Sequence, residues 1–172
     1  LWDLVEQRVH GHPKLVKALK ETRKYSNYFQ KHLNLTKNRG QNYLCKSSFY
    51  RPIFQYFRTK SAKYTIPSSR NYLILLPEMD LPGKNSQPLK NWISNILKSS
   101  KSEQTQIYIL SNLLGIIPLE LAEMYPASQH EGRSNVFNNL DERRLLISLI
   151  KKNFSLNTDN FKEIYVMIPE KF

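Results

Sequence analysis

Apolar residues in the first part of the chain recur with the period of a helix. The segment 10–13 (HGHP) interrupts this pattern, because glycine weakens a helix and proline favours the first turn of a new one. One helix is therefore predicted before this segment and a second helix over 13–32. The apolar positions are Leu1, Leu4, Val5 and Val9 in the first helix and Leu15, Leu19, Phe29 and Leu33 on one face of the second. The nearly opposite face of the second helix carries Lys17, Lys20, Lys24 and Lys31.

Between residues 41 and 70 the pattern changes to short elements rich in aromatic residues. An extended segment is predicted over 41–46, and a short helix is predicted after Pro52, where Phe54 and Phe57 lie three residues apart. Aromatic side chains among cations can stack on unpaired bases, but the same spacing also predicts packing in a core. The segment 65–70 (TIPSSR) is typical of a turn-rich linker.

After residue 70 continuous apolar runs alternate with amphipathic segments. Short apolar runs predict strands that are buried on both faces, and such strands separated by helices predict a mostly parallel sheet. The predicted fold is α/β: a basic helical segment over 1–70, followed by a small α/β domain of two or three layers over 71–172. The predicted elements are strands at 72–77, 106–111 and 161–168, a loop at 77–88, and helices at 89–97, 116–124 and about 139–152.

Charge is concentrated in the first part of the chain. Residues 1–70 hold 15 Lys and Arg and three acidic residues, whereas residues 71–172 hold 11 of each, so the formal net charge of +12 lies before residue 71. This asymmetry indicates a polyanionic partner, nucleic acid before an anionic membrane. The basic residues either form a solvated outer face or contact phosphates. The candidate contacts are Lys14, Lys17, Lys20, Arg23, Lys24, Lys31, Lys37, Arg39, Arg51, Arg58, Lys60 and Lys63.

Residue types that carry catalytic or metal chemistry are few, and no catalytic residue, cofactor or metal is predicted. Cys45 is the only cysteine, which excludes an internal disulfide and a cysteine zinc site within this sequence. His10 and His12 flank a helix break without a third ligand beside them. Glu120 and Glu123 either share a face for acid–base chemistry or face solvent. Apolar runs stay below the roughly 18–20 residues that span a bilayer, so no membrane contact and a cytoplasmic location are predicted.

Two stretches resemble a known family. The segment 1–19 (LWDLVEQRVHGHPKLVKAL) is similar to the end of the barrel domain in archaeal tRNA-guanine transglycosylases, of the form LWELVE-R---HP-L---L. Residues 36–37 (TK) and 43–56, with Arg51-Pro52, resemble the stretch that follows. The segment 115–131 (GIIPLELAEMYPASQHE) resembles a signature of the next domain, which archaeosine synthases share. Its matching residues are Gly115, Pro118, Glu120, Leu121, Tyr125, Pro126, Gln129 and Glu131.

This resemblance implies a role in archaeosine tRNA modification. The transglycosylases exchange a guanine in the tRNA D-arm for a cyano-deazaguanine base, and their catalytic aspartates and zinc cysteines lie in the barrel, outside the two matching stretches. The synthases modify the inserted base through a P-C-S---KPY--S--H motif after a buried strand. Here Pro77 matches that motif and Lys84 and Ser86 match it loosely, whereas its Cys, Tyr and His have no counterpart.

Three hypotheses follow for the function. The first is a non-catalytic accessory part that binds tRNA through residues 1–70 and docks to a transglycosylase barrel chain or domain. The second is a divergent synthase-type domain that modifies the nitrile base. The third is a dimerisation module, possible as a homodimer through the aromatic segment 43–57. The sequence leaves open whether the chain is a fragment, a split subunit or a whole protein.

Overall fold

A computed structural model shows a helical N-terminal part followed by a small mixed sheet with helices packed against it, which confirms the predicted α/β class. The structure describes residues 2–32, 41–42, 48–78, 91, 94–95, 98, 102–111, 113–131, 140–157 and 161–167.

The N-terminal part begins with helices α1 (Trp2–His10) and α2 (Pro13–Thr22), as predicted. The prediction of one continuous helix over 13–32 is wrong, because a 3-10 turn at Arg23–Tyr25 separates α2 from α3 (Ser26–Lys31). A 3-10 helix rotates each residue by about 120° instead of 100°, so three residues change the phase of the apolar face by only about 60°. The sequence pattern therefore continues across a break in the helix.

The predicted helix after Pro52 is confirmed as α4 (Pro52–Ser61), preceded by a 3-10 turn at Ser48–Tyr50. Phe54 and Phe57 are buried, which confirms that these two aromatic side chains pack in the core. Of the predicted extended segment over 41–46, the structure describes β1 (Gln41–Asn42), and the remainder lies outside the described residues.

Four strands form the main sheet: β2 (Tyr72–Pro77), β3 (Thr105–Ser111), β4 (Gly115–Pro118) and β6 (Glu163–Val166). Their order is β4-β3-β2-β6. Strand β2 pairs in parallel with β3 and β6, whereas β3 and β4 are antiparallel. The three predicted strands are therefore present in a mostly parallel sheet. A separate parallel pair joins β1 to β5 (His130–Glu131).

The helix predicted over 116–124 is wrong in its first half. Residues Gly115–Pro118 form β4, and a 3-10 turn at Leu119–Leu121 follows. Leu113 and Leu114 turn the chain back, so that Ile117 lies opposite Ile109 on β3. A short apolar run fits a buried strand and a buried helix equally well, and here the pairing with β3 decides between them.

The last helix, α5 (Leu140–Asn157), extends five residues past its predicted end at Lys151-Lys152. The side chains of Asn153 and Asn157 are buried and hold this final turn against the segment after α4. Asn153 Nδ2 and Asn157 Nδ2 donate to the Tyr64 carbonyl at 3.1 and 3.2 Å, and Asn157 Oδ1 accepts from the Ile66 amide at 2.9 Å. These long-range hydrogen bonds have no signature in the local sequence.

Other predicted elements fall partly outside the described residues. Asn91, Ser94 and Asn95 are helical, in agreement with the helix predicted over 89–97. The predicted loop over 77–88 is described only up to Glu78, and Asn139, where the last helix is predicted to begin, is outside the described part.

Helix α4 packs directly on the sheet. The buried side chains of Phe49, Ile53, Phe54 and Phe57 share one hydrophobic cluster with Ile109, Leu114 and Ile117. A second cluster lies towards α5 and includes Leu73, Tyr108 and Ile116. The division of the chain into two domains at residue 70 stays a prediction.

Gly115 supports a stability test, because its backbone has φ of +81° and an added Cβ would lie 2.7 Å from Leu149 Cδ1. The substitution Gly115→Ala is expected to lower the free energy of unfolding by about 1–3 kcal/mol, since L side chains are strained in this conformation. Denaturant unfolding measures the change. Gly11→Ala is the control, because its Cβ meets only a backbone oxygen at 3.7 Å. An equal effect of both substitutions would contradict this account of Gly115.

Tyr108 supports a pH test, because burial raises the pKa of its phenol far above the usual value and the nearby Asn153 opposes only part of this rise. As the pH rises past about 10, the unfolded chain therefore releases the phenol proton, whereas the folded state keeps it. This stabilisation is complete below the unfolded pKa of about 10 and is lost as the pH rises above it. Between pH 9 and about 11, the free energy of unfolding of Tyr108→Phe is expected to fall less steeply with pH than that of the parent chain. Denaturant titrations of both proteins at each pH measure this slope. Identical slopes would contradict it.

Candidate nucleic-acid interface

Lysines form most of the exposed cations in the described part of the basic N-terminal segment, and Arg8 is also exposed. In α2 they lie at intervals of three residues, which places them within about one third of the helix circumference. Helix α2 buries no side chain, so its polar side is open to solvent. Lys24 forms an exposed ion pair with Glu21. The exposed lysines among the predicted contacts are Lys14, Lys17, Lys20, Lys24, Lys31, Lys60 and Lys63, whereas Lys37 and Arg39 lie outside the described residues.

Arg51 is a predicted phosphate contact whose burial overturns that assignment. Its side chain is 1% exposed and forms an ion pair with Glu6, which is equally buried. Arg51 Nε donates to Glu6 Oε1 at 2.9 Å, and Arg51 Nη2 donates to Glu6 Oε2 at 2.8 Å. Ser48 Oγ donates to the same Oε2 at 2.6 Å. The guanidinium thus binds a carboxylate within the fold, where no phosphate reaches it.

Arg58 is a second predicted phosphate contact that the fold uses internally. It is 5% exposed, and its Nη1 and Nη2 donate to the carbonyls of Leu113 and Phe49, both at 2.7 Å. Its guanidinium carbon also lies 4.1 Å from the ring centroid of Phe49. Because Leu113 precedes β4, Arg58 connects α4 to the turn between β3 and β4. Arg51 and Arg58 are therefore removed from the candidate interface.

Arg23 lines a small cleft between the N-terminal helices and the start of α4. Its guanidinium carbon is 3.6 Å from the ring centroid of Tyr50, a cation–π contact between the 3-10 turn after α2 and the turn before α4. Trp2 from α1 and Phe29 from α3 line the same cleft, and the side chains of Glu6 and Arg51 form part of its lining. The predicted apolar face of the second helix is only partly buried, since Leu15 is 47% exposed.

The second family signature covers β4, the following 3-10 turns and β5. Gly115 and Pro118 bound β4, and the peptide bond between Tyr125 and Pro126 is cis. Gln129 ends a 3-10 turn and Glu131 ends β5, the strand that pairs with β1. Leu121 packs against the cluster that contains α4. The signature residues thus shape the backbone around the sheet.

Glu120, also in this signature, faces Gln106 and Arg70. Gln106 Nε2 donates to Glu120 Oε2 at 2.9 Å, and Arg70 Nη2 lies 4.0 Å from Glu120 Oε1. Burial raises the pKa of Tyr64, and the negative charge of Glu120 raises it further. Glu123 is exposed, and no hydrogen bond connects it to Glu120 within the described residues.

The candidate metal residues do not form a site in the described part of the chain. His10 and His12 are both exposed, and no group of three His, Cys, Asp or Glu side chains with metal-binding geometry occurs among the described residues. Cys45 lies outside them. No helix that the structure describes is long and apolar enough to cross a membrane.

Glu6 is the structural residue that sequence reasoning missed. It was counted only as one of three acids in the basic segment, although it occupies the last position of the LWDLVE motif. The continuation of the same family stretch, over 43–56, contains Arg51-Pro52, and the structure shows that Glu6 and Arg51 bind each other. The sequence feature that points to this pair is the presence of an acid in one motif and an arginine in the other. A count of charges does not use the motifs.

The Glu6–Arg51 ion pair leads to a stability prediction. Glu6→Gln removes the carboxylate and leaves the Arg51 cation buried without its counter-charge, which is expected to cost about 3–5 kcal/mol of unfolding free energy. Denaturant unfolding monitored by circular dichroism measures this loss. Glu21→Gln is the control, because its ion pair with Lys24 is exposed and worth below about 1 kcal/mol.

A double variant, Glu6→Gln with Arg51→Met, distinguishes the ion pair from two independent contacts. It is expected to be less destabilised than the sum of its single variants, because no unpaired charge remains. Additive losses would contradict the assignment of an energetically coupled pair.

Comparison with known proteins identifies relatives of this chain. A tRNA-guanine(15) transglycosylase of Methanococcus maripaludis (strain C5) is 30% identical over 131 residues, which are 76% of this chain and 18% of that protein. The tRNA-guanine(15) transglycosylase of Methanobrevibacter smithii is 31% identical over 140 residues, 76% of this chain and 20% of that protein. That of Methanocaldococcus jannaschii is 30% identical over 131 residues, with the same shares as the first.

The chain spans about one fifth of the length of these curated relatives. No family model and no solved structure matches it. The relatives nevertheless agree in name and match the same share of the chain, so the resemblance carried by the two signatures is confirmed. Over about three quarters of its length, the chain is therefore similar to archaeal tRNA-guanine(15) transglycosylases, the family that its two signatures resemble.

Proposed function

We propose that this chain is a non-catalytic, tRNA-binding part of a transglycosylase-like protein in archaeosine tRNA modification. The observation that carries the proposal is the row of exposed lysines on α2 in a chain whose relatives are named tRNA-guanine(15) transglycosylases. Lysine ammonium groups attract phosphates without reading the base sequence. Such contacts can hold the phosphate backbone of a folded RNA in position. Because its proposed partner is tRNA, we expect the chain to work in the cytoplasm.

The binding surface proposed here is smaller than the set of basic residues in the sequence. Arg51 and Arg58 are occupied inside the fold, so the proposed contacts are lysines and Arg23. The cations of α2 are Lys14, Lys17 and Lys20, and Lys60 and Lys63 lie at the end of α4 and just after it. The burial of Arg51 and Arg58 and the exposure of the lysines fit the chemistry of the two side chains. Arginine makes several hydrogen bonds in one plane, whereas lysine acts as a hydrated point charge.

A non-catalytic role is supported by the chemistry that the matching residues lack. The strand β2 ends at Pro77, the position that matches the synthase motif, but that motif's Cys, Tyr and His have no counterpart in the sequence that follows. Glu120 faces Gln106 and Arg70, so its carboxylate has structural partners. The α/β part is therefore proposed to position tRNA or a catalytic barrel.

The dimer hypothesis keeps fewer candidate residues. Within the segment 43–57, Phe49, Phe54 and Phe57 are buried in the core next to the sheet, so these three rings do not offer a surface to a second copy, whereas Tyr50 and Tyr56 are half-buried.

Binding to tRNA across a salt series tests the proposed function. The chain is expected to bind tRNA tightly at low salt. Replacing Lys14, Lys17 and Lys20 by Gln is expected to weaken this binding at least about tenfold and to reduce the log–log salt slope by about 2–3, because each phosphate contact contributes roughly 0.7–0.9. Fluorescence anisotropy of labelled tRNA measures both quantities.

The matched control replaces three exposed cations of α5, Arg144, Lys151 and Lys152, by Gln. It removes the same net charge from a helix outside the proposed surface, and a smaller change in slope is expected. Equal effects of the two triple variants would show that net charge alone drives binding. Absence of tRNA binding at low salt would overturn the proposed function.

A further inference from the structure

The segment from the 3-10 turn after α2 to the end of α3 has an inner and an outer side. Its inner side contributes Arg23, Ser26 and Phe29 to the small cleft against the start of α4. Its outer side carries Tyr25 and Tyr28, which are 63% and 61% exposed. Because the inner residues recur every three positions, they follow one side of the backbone, and the two tyrosines lie on the side away from the cleft.

The exposure of these two tyrosines is unusual in this chain. Of the tyrosines that the structure describes, only Tyr165 is comparably exposed, and the others are buried or half-buried. Single exposed apolar residues are common on protein surfaces, whereas contiguous patches mark interaction sites. Tyr25 and Tyr28 lie three residues apart, and the His32 ring contacts Tyr28 at a centroid distance of 4.7 Å. These three rings are called the aromatic patch below.

The Tyr28 ring is held in position by the rings beside it. Phe29 meets it edge-on at a centroid distance of 5.8 Å and an interplanar angle of 79°, and Phe29 itself is half-buried in the cleft. The His32 ring is tilted by 48° against Tyr28. These contacts restrict the rotation of the Tyr28 side chain, although more than half of its surface stays open to solvent. A preorganised ring loses little conformational entropy when a ligand stacks on it.

Cations flank the aromatic patch along the same segment. Lys24 and Lys31 are both exposed. Lys24 is paired with Glu21, but this exposed ion pair is weak and competes little with another anion. After Glu21, the next acidic residue in the sequence is Glu78, so the segment around the patch carries no negative side chain. Open ring faces beside ammonium groups match a ligand that has flat rings on a phosphate backbone.

We propose that Tyr25 and Tyr28 stack on unpaired bases of the RNA, while Lys24 and Lys31 contact the phosphates of the same strand. Bases in a duplex are already stacked and paired, whereas unpaired bases expose their ring faces to aromatic side chains. The aromatic patch therefore adds a preference for unpaired RNA to the sequence-independent attraction of the lysines. This inference rests on the proposed tRNA binding and extends it to a specific surface.

Three ligands with the same number of phosphates test the aromatic patch: a single-stranded oligoribonucleotide, a strand of the same backbone without bases, and a fully paired RNA duplex. The parent chain is expected to bind the single strand at least about tenfold more tightly than the abasic strand, because only the former can stack. Replacing both Tyr25 and Tyr28 by Leu is expected to remove this difference and to leave abasic-strand and duplex binding unchanged. Fluorescence anisotropy of labelled ligands measures all three affinities.

Two further variants separate stacking from other effects of the substitutions. Replacing both Tyr25 and Tyr28 by Phe is expected to keep the preference for the base-bearing strand, because the rings remain and only the hydroxyls are lost. Tyr165→Leu is the matched control, since it removes an exposed tyrosine on β6, outside the aromatic patch. If the double Leu variant does not fold, Tyr25→Leu and Tyr28→Leu are measured separately, and each is expected to reduce the preference.

The possible outcomes distinguish this inference from the proposed function. Equal binding of the base-bearing and abasic strands by the parent chain would overturn the stacking surface and leave the lysine surface in place. The same conclusion would follow if the Leu variants kept the preference, weakened all three ligands equally, or had the same effect as Tyr165→Leu. Failure of all three ligands to bind the parent chain at low salt would overturn the proposed function together with the aromatic patch.

Discussion

The buried ion pair between Glu6 and Arg51 joins two segments that lie 45 residues apart. It holds α1 against the start of α4, and α4 in turn packs on β3 and β4. Removing two charges from water is costly, and the attraction between them repays this cost only if the geometry is good and further hydrogen bonds satisfy the carboxylate. Here two bonds from Arg51 and one from Ser48 do so. Among the described residues of α1, α2 and α3, Glu6 is the only one that is buried, so this pair is the buried attachment of these helices to the rest of the fold.

Three described arginines of the first part differ from its described lysines in how they are used. Arg51 and Arg58 bind inside the fold to a carboxylate and to backbone carbonyls, and Arg23 stacks on Tyr50 at the edge of a cleft. The lysines remain in solvent. Guanidinium groups are weakly hydrated and planar, so they tolerate burial and aromatic stacking, whereas ammonium groups keep their hydration at the surface. The excess of positive charge is therefore partly a structural requirement of the core and partly a candidate surface for RNA.

The two family signatures are explained by the fold in different ways. The first combines Glu6 and Arg51, whose side chains bind each other. The second begins with Gly115, whose positive φ and close approach to Leu149 suit only a residue without a Cβ, and continues through the turns that lead to β5. Both are requirements of the architecture that surrounds the sheet.

The sequence by itself indicated most of the helices and strands, gave core packing as one of two roles for Phe54 and Phe57, and showed the family resemblance. These features depend on local periodicity or on motifs, and both can be read along the chain. Only the tertiary structure decided that Gly115–Pro118 is a strand, that α5 continues to Asn157, and that Arg51 and Arg58 are internal. The first depends on pairing with the neighbouring strand β3. The other two depend on partners distant in sequence: the backbone after α4, and Glu6 or the Leu113 carbonyl. An arginine that faces water and an arginine that binds a buried partner look the same in the sequence. Only the packing of distant segments distinguishes an exposed arginine from a buried one.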